Sequence, residues 1–108
     1  MAKYMIEETT TPQAAAGLLQ NPEDRSQVLA PILEAAGCKL EHFYVSTIEN
    51  KAYLIVESPD LESVYTVAVN FQAAGAAQAI KCIPLLPMSE IVGLARKAAG
   101  LGYHPPGR

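Results

Sequence analysis

Four side chains of this 108-residue sequence have the types and spacing for proton chemistry or ligand recognition: Glu7, His42, Tyr44 and Tyr53. His42 and Tyr44 are two residues apart, so on a strand they project from the same face. A histidine beside a carboxylate can act as a general base near neutral pH. A tyrosine hydroxyl can donate a hydrogen bond to an enolate or phenolate oxygen. The plainer reading of the same residues is an interface in which His42 and Tyr44 are packed and hydrogen-bonded.

Other chemistries find little support in the sequence. Cys38 and Cys82 are far apart, form no CxxC and have no histidine at metal spacing, so they read as reduced, buried thiols. Apolar neighbours Ile80 and Ile83 favour a neutral thiol at Cys82. Metal binding would need more histidines or clustered carboxylates than the chain offers. Gly75 and Gly93 stand alone, which leaves no phosphate-cradling loop, and no serine- or cysteine-centred nucleophile motif is present. No cofactor is expected. Glu49 and Glu57 read as solvated strand-end charges, and Arg96-Lys97 as a helix-end pair.

The length is that of one domain, and 50% hydrophobic content supplies a core. A domain this short buries a limited fraction of its surface, so the apolar excess points to a second surface to cover. A formal net charge of -3 argues against a nucleic-acid footprint. No segment is long and apolar enough to span a membrane. The opening Met1 to Glu8 has no signal-peptide stretch and reads as a mature start leading into a strand, which suggests a cytoplasmic location.

The periodicity of the apolar residues places the elements. Lys3 to Glu8 reads as a strand with Tyr4 and Ile6 on one side and Met5 and Glu7 on the other. Thr11-Pro12 starts a short helix to Gln20, and Asn21-Pro22-Glu23-Asp24 starts a longer one to about Ala36, with acids at its positive end. Pro31 should kink that helix and Gly37 should end it. Cys38 to Thr47 is a second strand, with Leu40, His42 and Tyr44 expected on one face and Phe43 and Val45 on the other. A hairpin connection, Ile48 to Lys51, leads to a third strand over Ala52 to Glu57. That strand is apolar on both faces, as expected of a central, doubly covered position. Ser58-Pro59-Asp60 caps a helix from Leu61 to about Ala74, ended by Gly75. Ala79 to Leu86 is a fourth strand whose prolines suit a sheet edge, and Ser89 is expected to cap a last helix reaching Ala99. Residues 1–99 form the domain and 100–108 an extended tail.

This order predicts an α+β, ferredoxin-like βαββαβ fold: a four-stranded antiparallel sheet, helices on one face, and an extra C-terminal helix. The other face is bare, and Met5, Glu7, Leu40, His42, Tyr44, Tyr53, Ile55 and Glu57 are assigned to it. Covering a half-apolar face is most economically done by a second copy of the chain, which makes a homodimer the expected partner.

Gly37-Cys38-Lys39-Leu40-Glu41-His42-Phe43-Tyr44 resembles the Gly-Gly-Lys-Leu-x-x-Phe-Tyr stretch of the GYD-domain family. Tyr53 to Asp60 is similar to that family's acidic-x-Pro-Asp strand end, and Lys3 to Glu7 and Tyr103 to Gly107 resemble its two ends. The chain departs from the family at the signature turn, where Ile48-Glu49-Asn50-Lys51 lacks the defining glycine and the final aspartate. The resemblance implies a dimeric α/β barrel and, the family being poorly characterised, little about activity.

Three functions follow. The first is a dimeric module that binds a small hydrophobic ligand between its sheets, lined by Glu7, His42, Tyr44 and Tyr53. The second, by analogy with other barrels of this shape, is a cofactor-independent monooxygenase or isomerase acting on a small aromatic or carbonyl compound. In that reading His42 is the base and Tyr44 the donor. The third is a structural or interaction protein whose sheet face is wholly filled.

Overall fold

The fold is described from a computed structural model covering residues 1–107. The elements run β1 (Ala2–Thr10), α1 (Pro12–Gln20), α2 (Arg25–Ala35), β2 (Lys39–Ser46), β3 (Lys51–Ser58), α3 (Leu61–Ala73), β4 (Ala77–Leu85) and α4 (Met88–Ala99). Strand pairing gives one antiparallel sheet of order β2-β3-β1-β4, as the βαββαβ plan requires. Pro84 lies on the edge strand β4, where a missing backbone donor is tolerated.

Period-two alternation sends alternate side chains of the central strands to opposite faces. Tyr4 and Ile6 of β1 and Ala52, Leu54 and Val56 of β3 turn to the helix side, where they meet Leu29 and Leu33 of α2 and Val64, Val67 and Phe71 of α3 in the core. Their strand neighbours Met5, Glu7, Tyr53, Ile55 and Glu57 fall on the opposite face and are only half-buried. The expectation of a doubly covered β3 is therefore met on one face only. α2 packs on β2, and α3 on β4 and β3.

Helix ends follow local chemistry. The Thr11 side chain accepts from the Ala14 N–H at 3.1 Å and Pro12 occupies the first helical position. Asp24, rather than Asn21, caps α2: its carboxylate accepts from the Ser26 N–H at 3.0 Å, so the helix starts at Arg25 and the acids lie before it. Asp60 caps α3 through the Ser63 N–H at 2.8 Å. Gly37 and Gly75, at φ +85 and +76, each end a helix. In both turns the next N–H reaches back to the helix, from Cys38 to the Leu33 carbonyl and from Ala76 to the Phe71 carbonyl.

Three expectations need correction. Ser89 does not cap α4; Pro87 stands at the cap position without a side-chain hydrogen bond. Lys51 is the first residue of β3, and the turn is closed by Asn50 at φ +57, a conformation asparagine tolerates in place of the missing glycine. Leu40 is not on the open face. The β2–β3 register shifts between Leu40 and His42, and Glu41 is the extra residue. The bulge puts Leu40 opposite Val56, against the core, while His42 and Tyr44 keep to the open side. In the expected tail, Gly100 to Gly107 follow α4 without regular structure, and Arg108 lies outside the described residues.

Candidate functional site on the open sheet face

The strand registers arrange the open-face side chains in rows across the sheet. Tyr44 lies opposite Tyr53, Tyr53 opposite Glu7, and Glu7 opposite Lys81. In the adjacent row His42 lies opposite Ile55, Ile55 opposite Met5, and Met5 opposite Ile83. All four predicted site residues thus share one face, with Tyr44, Tyr53 and Glu7 in a polar row and His42 at the end of the apolar row beside it.

Glu7 is the electrostatic centre of the polar row. Its Oε2 lies 3.3 Å from the Lys51 ammonium and 3.7 Å from that of Lys81. The Glu7 carboxylate thus sits between two lysines, with Glu49 as a second acid on the Tyr53 side. The Tyr53 hydroxyl donates to Glu49 Oε2 at 3.3 Å. Desolvation and then the negative charge of Glu49 raise the Tyr53 pKa, so this phenol is a hydrogen-bond donor rather than a source of phenolate. At the end of the face near Lys3, that lysine's ammonium lies 3.2 Å from Glu41 Oε1, which gives the bulge residue a partner two strands away.

The imidazole of His42 and the ring of Tyr44 are stacked, with centroids 6.1 Å apart and planes inclined by 16°. The two rings stand side by side at the β2 side, and Tyr44 is 65% exposed. His42 makes no side-chain hydrogen bond or ion pair among the described residues. It stands two strands and one row from Glu7, about 12 Å between Cα atoms at ordinary sheet spacing. Within one chain Glu7 is therefore not placed to pair with the His42 base. No group of three or more His, Cys, Asp or Glu residues suited to a metal occurs among the described residues.

One notable acid was not singled out by sequence. Glu8 lies on the helix side of β1, between Ala52 and Ile80 in register, only 6% exposed, and its Oε2 has no hydrogen-bond partner among the described residues. Burial raises its pKa. Strand alternation alone signals it, since Glu8 shares parity with Tyr4 and Ile6. Cys38 is buried, and Cys82 is partly buried with a thiol pKa raised by desolvation, so neither is an activated nucleophile.

A four-stranded antiparallel sheet with α2 and α3 on one face and a polar–apolar surface on the other defines a small α+β domain of split βαβ type. The family model for the GYD domain matches residues 4–95, and the chain belongs to that family. No curated protein and no solved structure matches it. No helix among the described residues is long and apolar enough to cross a membrane.

Proposed function

We propose that the protein is a homodimeric α/β-barrel module that holds a small hydrophobic ligand between two facing sheets. The observation that carries this reading is the open face itself. Met5, Ile55 and Ile83 form an apolar strip across three strands, and α2 and α3 both lie on the opposite side. A second copy laid face to face would set the sheets about 10 Å apart. The apolar strips then supply contact, while the stacked His42–Tyr44 surface, Tyr53 and the lysine-flanked Glu7 border the space between. An aromatic ligand with one polar or anionic group fits such a lining: rings stack on His42 and Tyr44, and the Tyr53 and lysine donors meet the polar end. The module works in the cytoplasm with both thiols reduced. The enzyme reading, with His42 as base, has less support because no carboxylate among the described residues orients the imidazole.

Native mass spectrometry of freshly purified protein tests the proposal. The expected spectrum is a dimer, with extra mass where ligand is retained. Titration with 1-anilinonaphthalene-8-sulfonate should then give saturable fluorescence that Tyr44→Ala weakens at least tenfold. A monomer, or a dimer whose dye binding ignores Tyr44→Ala, would overturn it.

A further inference from the structure

The last helix does not belong to the body of its own domain. Among the described residues α4 packs substantially against no other element, and none of its residues is buried. The chain accordingly spans 59 × 32 × 22 Å with a radius of gyration of 17.5 Å, against about 13 Å for a compact domain of this length. Yet α4 is strongly amphipathic. Met88, Ile91, Val92, Ala95 and Ala99 recur at three- and four-residue spacing on one side, with Glu90 and Lys97 opposite. Met88 is 74% and Val92 47% exposed. A free helix of 12 residues is marginal in water, so this one needs a surface to lie on.

The fold offers one of matching length. A cleft of about 450 Å³ runs along the outer edge of the sheet between α2 and β2, floored by Ala30, Leu40 and Phe43 and bordered on the open-face side by His42 and Tyr44. It shares Ser26 and Phe43 with a second hollow of about 230 Å³, where Leu18 and Val45 continue the apolar floor and Glu23, Asp24 and Arg25 form the rim. α2 has 11 residues and α4 has 12. Within one chain the cleft is out of reach of α4, because β2 and β4 are opposite edges of the sheet.

We infer that α4 is an exchanged arm, which in the dimer lies in the α2–β2 cleft of the partner subunit. This rests on the face-to-face dimer proposed above. A two-fold axis parallel to the strands sets β4 of one copy over β2 of the other. α4 leaves β4 at the end where Leu85 pairs with Lys3, the end at which β2 begins. Running back along the cleft, it lies antiparallel to the partner's α2. Arg96 in its last turn, at the border of the apolar side, then reaches the acidic rim, where Arg25 is paired with Glu23 and Asp24 adds a further carboxylate. Area argues the same way. The sheet face covers about 500 Å² at standard strand spacing, so two faces bury about 1,000 Å². That is short of the 1,200–2,000 Å² of ordinary stable interfaces, roughly speaking. Two arms, each about 18 Å long and 10 Å wide and each covering an equal area of cleft, bring the total to about 1,700 Å².

Two measurements on the full chain decide the matter. Sedimentation equilibrium of Ile91→Asp/Ala95→Asp should show a dimer dissociation constant raised at least 50-fold over wild type. In a Cys38→Ala/Cys82→Ala background, Ser26→Cys with Ala95→Cys should oxidise to a covalent dimer on a denaturing gel. A wild-type dimer whose affinity ignores the α4 substitutions would refute the arm and leave the sheet dimer standing, as would a cross-link within one chain. A monomeric wild type would refute both.

Discussion

Leu54 and Ile55 are neighbours on β3 that point to opposite faces, and truncating each to alanine separates the two surfaces of the sheet. Leu54 is 0% exposed within the core of a single chain. Its loss leaves a cavity between the sheet and its helices, costing about 2–5 kcal/mol whatever the protein concentration. Ile55 lies opposite His42 on one side and Met5 on the other, on the open face. In an isolated chain its truncation would remove only partly buried methyl groups, costing about 1 kcal/mol or less. In a face-to-face dimer it empties the centre of the interface in both subunits, and each copy loses a contribution of the Leu54 order. The assay is urea unfolding followed by circular dichroism at two protein concentrations a hundredfold apart. Dilution by that factor weakens a dimer by about 2.7 kcal/mol. With the m-values expected of a domain this size, the wild-type midpoint should fall by about 1 M. Ile55→Ala should lower the midpoint further, most strongly in the dilute sample. Leu54→Ala should lower both midpoints by similar amounts. A wild-type midpoint independent of concentration, with Ile55→Ala nearly silent, would refute the covered-face argument.

Glu8 gives a pH test. Its folded pKa is raised, so between the ordinary carboxylate value and that raised value the native state holds a proton that the unfolded chain has released; stability falls as pH rises through that window. Glu8→Gln should remove this loss and raise the melting temperature at pH 7, and an unchanged pH profile would contradict the burial of an unpaired acid. Asp24 and Asp60 act in the opposite direction. Hydrogen bonds from Ser26 and Ser63 lower their pKa values, so their contribution is present above the ordinary carboxylate value and lost as pH falls through the lowered one. Asp60→Asn, which keeps a capping oxygen, should flatten the acid limb of the melting profile while moving the pH 7 value little. Gly75→Ala forces a side chain into φ +76 and should cost about 1–2 kcal/mol in urea unfolding; a neutral result would mean the α3 terminus relaxes.

The faces of the central strands were legible because alternation is a two-residue code. Met5, Glu7, Tyr53, Ile55 and Glu57 could be placed on the open side from parity alone, and the helix ends at Gly37 and Gly75 followed from the need for positive φ. Leu40 was misplaced because one bulge residue, Glu41, reverses parity along β2, and nothing in the types Lys-Leu-Glu-His marks a bulge. Glu8 was passed over because an acid near a strand end is ordinarily solvated; its burial follows from its place on the helix side of the sheet between Ala52 and Ile80. The four site residues share a face, as parity required. The distance of His42 from Glu7 depends on strand order and register together, and neither is written in the local sequence.

The ligand space and the exchanged arm both require the open face to be covered by a second copy. Light-scattering mass measurement during size-exclusion chromatography, on wild type and on Met5→Asp, tests this most directly. Met5 lies between Ile55 and Ile83 at the middle of the apolar strip. A carboxylate there is harmless to a lone chain and disruptive in a buried sheet interface. The expected result is a wild-type mass of twice the 11.5 kDa chain, with Met5→Asp at the monomer mass and its helical circular dichroism retained. A wild-type protein at the mass of one chain would contradict the account.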